Sequence, residues 1–187
     1  AGNLTVDKAA ITVTAVDQSR TYGASNPTAG SVTLTSGTLY NGNTLSTASV
    51  STNALVTSNV GSYTLTPSAQ TFSSGTASNY AITYTAGNLT VDKATLTVNA
   101  NNQTKVYGAA NPTLSETITG YVNGQNSSVI TGTPTATTSA TTATGVGSAT
   151  ITASTSGLSA TNYVFAAGTN GTLTITARPI TVDANDQ

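Results

Sequence analysis

The sequence has no cysteine, histidine, methionine or tryptophan, and only five basic and six acidic residues among 187. Without cysteine there can be no disulfide staple and no thiolate metal site. A cysteine-free chain also suits export through a route that requires it unfolded and unlinked. Without histidine the usual general base is missing, and so are most transition-metal ligands. Serine and threonine are abundant, but no imidazole exists to activate them, so nucleophilic catalysis has no support. A net charge of −1 leaves no electrostatic footprint for nucleic acid or for an anionic membrane. No run of eighteen apolar residues is present, which excludes a membrane-spanning helix. The amino terminus lacks the charged-then-apolar pattern of a signal peptide. If the protein is exported, its signal is expected elsewhere in a longer parent. Aromatic residues are scarce, at 5%.

What is present is a repeat. AGNLTVDKAAITV at residues 1–13 returns as AGNLTVDKATLTV at residues 86–98, and more loosely as GTLTITARPITV at residues 171–182. The spacing defines a unit of roughly 85 residues, longer than the 20–50 residues of a solenoid coil, and therefore a self-contained small domain. The chain reads as two complete units with pieces of neighbours: 1–8 the last strand of a preceding repeat, 9–93 repeat 1, 94–177 repeat 2, and 178–187 the first strand of a truncated third. It is expected to be part of a longer array.

Within each anchor the apolar positions change parity. Leu4 and Val6 are even, Ile11 and Val13 odd; Leu89 and Val91 are odd, Leu96 and Val98 even; Leu173 and Ile175 give way to Ile180 and Val182. Side chains on a strand alternate faces, so a parity flip sends the two halves of one extended segment into different cores. Each anchor is therefore read as one domain's last strand running straight into the next domain's first. The charged pairs Asp7 and Lys8, and Asp92 and Lys93, lie exposed at the crossing. No Gly-, Pro- or Ser-rich linker intervenes, so neighbouring units are expected to be stiffly coupled. The alternative is a plain β-bulge inside one sheet.

After each anchor comes an alternating run and then a shared turn: Gln18, Tyr22, Gly23, Asn26 and Pro27 in repeat 1, Gln103, Tyr107, Gly108, Asn111 and Pro112 in repeat 2. Glycine permits positive φ, and proline holds its neighbour out of the helical region. Both tyrosines are expected to pack against the core, with a solvent-facing sugar-stacking role as the alternative. Asn41 and Gly42, like Asn123 and Gly124, signal a tight turn; the segments 43–49 and 125–131 that follow are open between strand and one helical turn. NYAITYTAGNLTV and NYVFAAGTNGTLTI are expected to close each unit as a hairpin. Six or seven short strands per unit make a small, mainly β domain. Two such domains in tandem are expected to form an elongated rod.

The ordered set YGxxNP, a VGSYTLT-like strand, NYxIxY and GxLTV, occurring twice and covering nearly the whole chain, resembles the MBG repeats of the Tyr-Gly type found in tandem in large bacterial surface adhesins. The resemblance implies a β-grasp-like domain, with an immunoglobulin-like sandwich as the alternative, serving as an extracellular stalk or adhesive module. Repeat 2 departs at Ala149, where repeat 1 has Tyr63. The family brings no catalytic residues.

The acids Asp7, Asp17, Asp92, Glu116, Asp183 and Asp186 form no dyad, and one Asp per junction beside a Lys is a poor calcium site. No cofactor and no metal are expected. A Lys–Asn side-chain crosslink would need an acid in each core, and repeat 1 has no counterpart of Glu116. Thr12, Thr14, Thr95 and Thr97 sit opposite the apolar face; they read as good exposed strand residues, with an ice- or glycan-binding face as the alternative. Asn3, Asn88, Asn102, Asn126 and Asn170 head Asn-x-Ser/Thr sites that matter only in a glycosylating host. The leading functional reading is a structural stalk, not an enzyme, with neighbouring repeats as partners. The alternatives are a carbohydrate- or mucin-binding module using Tyr40, Tyr84 and Tyr121, and lateral self-association with like chains in a biofilm matrix.

Overall fold

The structure, a computed structural model, describes residues 2–184. Asp186, one of the acids considered above, lies outside the described residues, as do Ala1 and the rest of 185–187. The chain divides into two compact units, Ala1–Lys93 and Ala94–Gln187. Both are mainly β; among the described residues the only helices are two short 3-10 turns.

The first unit contains β1 (Ala9–Ala15), β2 (Gln18–Thr21), β3 (Ala29–Gly37), β4 (Thr44–Leu45), β5 (Thr47–Ser51), β6 (Gly61–Ser68), β7 (Phe72–Ser74), β8 (Tyr80–Thr85) and β9 (Gly87–Asp92). Seven of these join in the order β2-β9-β6-β5-β3-β1-β8, and β4 pairs with β7 in a short ribbon. The long β3 links the two ends of the order, pairing with β5 through Ala29, Gly30 and Ser31 and with β1 from Val32 onward. The second unit contains β10 (Ala94–Ala100), β11 (Gln103–Val106), β12 (Glu116–Thr119), β13 (Thr135–Thr137), β14 (Gly147–Ser154), β15 (Tyr163–Ala167) and β16 (Gly171–Thr176). Here the shorter β12 does not reach β13, and the strands fall into a three-stranded sheet, β12-β10-β15, and a four-stranded one, β11-β16-β14-β13.

The same frame underlies both. Two extended segments run side by side, and each breaks at the same level and changes its antiparallel neighbours there. β1 pairs with β8 in parallel, and their continuations β2 and β9 also pair in parallel. β10 with β15 and β11 with β16 repeat the arrangement. The closing hairpins expected of NYAITYTAGNLTV and NYVFAAGTNGTLTI are therefore corrected, since β15 pairs with β10 and β16 with β11 and β14. Only Ala86 separates β8 from β9, too few residues to reverse the chain, since even the tightest hairpin turn takes two. Instead β8 pairs with β1, and β9 pairs with β2 and, antiparallel, with β6. The glycine opening each second strand serves close approach: a Cβ on Gly87 would collide with the Ala15 carbonyl, and one on Gly171 with that of Asn101. Among the described residues no α-helix lies across a sheet as a β-grasp requires, and the parallel pairs depart from the antiparallel order of an immunoglobulin-like sandwich.

The core follows from the alternation. In unit 1, Ile11, Val13 and Tyr80 pack together at the β1–β8 end of the seven-stranded sheet, and Leu65, Leu89, Val50 and Ala54 form a second cluster around β5, β6 and β9. In unit 2, Val98 and Ala100 of β10 meet Ile151, Leu173 and Ile175 of the facing sheet. Leu65 and its counterpart Ile151 are both fully buried. Tyr63 lies opposite Leu89 and rests on the unit 1 core with its hydroxyl on the Asn59 carbonyl at 2.8 Å, whereas Ala149 takes the equivalent place opposite Leu173. Leu89 and Val91 are buried in the first unit, Leu96 and Val98 in the second, with Asp92 and Lys93 exposed between them. The outer segments 2–8 and 177–184 form no strand, and Leu4, Val6, Ile180 and Val182 are exposed. The strands expected at 1–8 and 178–187 are therefore not formed among the described residues.

Candidate functional site

The Tyr-Gly turn is built alike in both units. Ala24 N donates to Thr21 O at 3.0 Å and Ala109 N to Val106 O at 3.0 Å, with Gly23 at φ 86° and Gly108 at φ 81°. This is the left-handed position that glycine occupies without steric cost. Tyr22 is buried as expected of a core-packing ring, but Tyr107 is 43% exposed. Only the glycine is dictated by the turn. The side chain before it is not steered inward by the turn geometry, so the same dipeptide permits both placements.

Asn26 and Asn111, from the Asn-Pro pair, hold a feature that sequence reading missed. Each bonds a buried cation, Arg20 in unit 1 and Lys105 in unit 2. Arg20 Nε donates to Asn26 Oδ1 at 2.7 Å, Nη2 to Leu55 O at 2.5 Å and Nη1 to Thr21 O at 3.3 Å. Lys105 Nζ donates to Asn111 Oδ1 at 2.9 Å, Thr141 O at 2.6 Å and Ala109 O at 3.3 Å. The asparagine amide then donates onward, Asn26 to Ala54 O at 2.5 Å and Asn111 to Ala140 O at 2.6 Å. A buried charge is tolerated only when its donors are filled. Here carbonyl dipoles fill them, tying the YGxxNP turn to a distant loop. The signal was available: four of the five basic residues fall on repeat-equivalent positions, Lys8 with Lys93 at the anchors and Arg20 with Lys105 two residues before the tyrosine. The Lys105 and Asn111 pair also presents the residue types of an amide crosslink. However, the asparagine offers its carbonyl as acceptor, and neither side chain bonds a carboxylate that could take the proton.

A second shared device supports the Asn-Gly turn. Asn41 and Gly42 have φ 57° and 68°, Asn123 and Gly124 55° and 68°, the paired positive values of a type I′ turn. The open segments behind them resolve differently: 43–49 enters β4 and β5, whereas 125–131 contains the 3-10 turn Ser127–Val129. Beneath each turn lies the buried tyrosine of the NYxIxY motif. Tyr80 Oη accepts from Tyr40 N and from Asn43 Nδ2, both at 3.0 Å. Tyr163 Oη accepts from Val122 N at 3.2 Å but donates to Gln125 Oε1 at 2.5 Å.

The three aromatics considered for ligand stacking are not brought together. Tyr84 is at the margin of exposure, with its hydroxyl accepting from Gln70 N at 2.9 Å. Tyr121 stands edge-on to Tyr163 at 6.3 Å, and burial first, then the neighbouring Tyr163, pushes its phenol above the usual value. Tyr40 alone presents an open ring, 57% exposed, on a cleft of about 570 Å³ in unit 1. Asp7 and Lys8 line the same cleft, whereas Asp92 and Lys93 are exposed at the domain boundary. The threonine rows lie on outer faces: Thr12 stands beside Ser36 and Thr83, and Thr14 Oγ1 lies 3.1 Å from Thr35 Oγ1. Among the described residues no group of three or more His, Cys, Asp or Glu could hold a metal. No helix among them is long and apolar enough to cross a membrane, which says nothing of a β-barrel.

Fold and site together define a tandem of small, mainly β domains whose shared polar devices are internal braces. The family model described as MBG domain (YGX type) matches the chain twice, at residues 11–90 and 96–174, and the chain belongs to that family. A comparison with curated proteins finds no match.

Proposed function

We propose that the two domains are structural spacer repeats of an exported bacterial adhesin or matrix fibre, outside the cell and without catalytic activity. The observation that carries the reading is the domain boundary. A single residue, Lys93, separates β9 from β10, and the apolar residues on its two sides are buried in different units. A one-residue connection between two packed strands leaves few soft dihedrals for bending. Family membership, the sparse surface charge and the internal use of the shared polar residues support the same reading.

The test is small-angle scattering on the two-domain chain at several concentrations, with and without calcium, beside a variant carrying Gly-Ser-Gly-Ser between Lys93 and Ala94. An extended, concentration-independent particle whose rigidity falls in the insertion variant is expected. Equal flexibility in both proteins would overturn stiff coupling, and growth with concentration would shift the function to lateral association.

A further inference from the structure

Repeat 1 carries a cleft whose open ring and uncommitted donor have no counterpart in repeat 2, and we infer that it binds a short neutral oligosaccharide. The inference does not depend on the spacer role, since a spacer functions with or without a lateral ligand. The cleft, of about 570 Å³, falls within the roughly 300–1,000 Å³ of small-molecule sites. One rim is the Tyr40 ring, the kind of flat apolar surface that the C–H face of a pyranose covers. Asn41, Asn43 and Asn79 also line the cleft; a side-chain amide carries donor and acceptor side by side, a match for vicinal hydroxyls. The only charged lining residues are one of each sign, Asp7 and Lys8. A phosphate or polyanion would need a cluster of cations, so the lining selects a neutral, hydroxyl-rich ligand.

The floor is held ready. Tyr80, 4% exposed and stacked on Phe72 at 5.3 Å, accepts from Tyr40 N and Asn43 Nδ2. Those two bonds fix the backbone under the ring and the orientation of one amide before any ligand arrives. They also use only the acceptor capacity of the hydroxyl, and its own hydrogen is committed to no protein acceptor among the described residues. Tyr80 lines the cleft, so this hydrogen is available to a ligand hydroxyl. In repeat 2 the corresponding hydrogen goes to Gln125 Oε1, and Val122 stands where Tyr40 does. Ring and donor are lost together.

The experiment is an NMR titration of the whole ¹⁵N-labelled chain with maltose, cellobiose and lactose. For at least one of them, saturable shifts in the millimolar range are expected at Tyr40, Asn41, Asn43 and Asn79, with none at residues 122–125. Tyr40→Val, which installs the repeat 2 residue at an exposed position, should weaken binding by roughly tenfold or more while leaving the melting temperature unchanged. Asn79→Ala removes a second wall of the cleft independently and should weaken binding as well. Absence of saturable shifts with all three sugars, shifts centred on residues 122–125, or unaltered affinity in Tyr40→Val would overturn the inference.

Discussion

The two repeats solve one problem twice and differ where the problem leaves room. Both run two extended segments in parallel through two successive pairings, both bury a cation under the Tyr-Gly turn, and both pin an Asn-Gly turn with a buried tyrosine hydroxyl. Yet the cation is Arg20 in one and Lys105 in the other, Tyr63 faces Leu89 where Ala149 faces Leu173, and β3 reaches β5 where β12 stops short of β13. Geometry is kept at the crossings, where two backbones approach too closely for a side chain. Chemistry drifts where a donor count can be met in more than one way. The rim of each unit is freer still, and there one repeat has an open ring and the other a valine.

The comparison breaks most visibly in the core. Leu89→Ala and Leu173→Ala each remove a fully buried side chain, and such truncations cost about 2–5 kcal/mol depending on how far the site collapses. Tyr63, partly buried and beside Leu89, is large enough to lean into the space, whereas Ala149 beside Leu173 is not. Urea unfolding should therefore show the larger loss for Leu173→Ala; the reverse order would mean that Tyr63 is held rigidly by its Asn59 bond. Next in size is the buried cation. Lys105→Met and Arg20→Met keep an apolar stem but leave the Asn oxygen and the loop carbonyls without their donor, at about 1–3 kcal/mol for each group left unpaired. Lys105→Arg should cost under about 1 kcal/mol, because unit 1 houses a guanidinium in the same cage. A loss as large as that of Lys105→Met would show that the two cages are not equivalent.

Much of this was legible in the sequence, and the misses have physical causes. The repeat fixed the domain count, and the parity flip marked Leu89, Val91, Leu96 and Val98 as residues of two cores. Parity also flips between Ile82 and Leu89, however, inside one unit. A flip therefore reports a change of core face and does not say whether the new face belongs to the next sheet or the next domain. The hairpin was misread at the same point: alternation on both sides of a glycine looks alike whether the chain reverses or crosses over, and only pairing partners more than sixty residues away decide it. Arg20 and Lys105 went unread because alternation places them inward, where a charge is not expected. Their repeat-equivalent spacing in a chain with so few charges was the clue. Tyr40 could be named as a candidate, but its openness depends on a cleft wall contributed by residues 78 and 79, which no local pattern connects to it.

The smallest effect is the most exacting test of the shared frame. At each crossing a side-chain oxygen two residues beyond β1 or β10 accepts from the backbone of the parallel partner: Asp17 Oδ1 from Asn88 N at 2.7 Å, and Asn102 Oδ1 from Thr172 N at 2.8 Å. The acceptor matters here, not the charge, since an amide oxygen performs in unit 2 what a carboxylate does in unit 1. Asp17→Asn should thus change stability by no more than about 0.5 kcal/mol, while Asp17→Ala, which orphans the Asn88 amide at the point of closest approach, should cost about 1–2 kcal/mol. Hydrogen exchange at Asn88 gives the local readout: protection kept in Asp17→Asn and lost in Asp17→Ala. Equal loss in both variants would show that unit 1 needs the charge and that the two crossings, alike in geometry, are held by different forces.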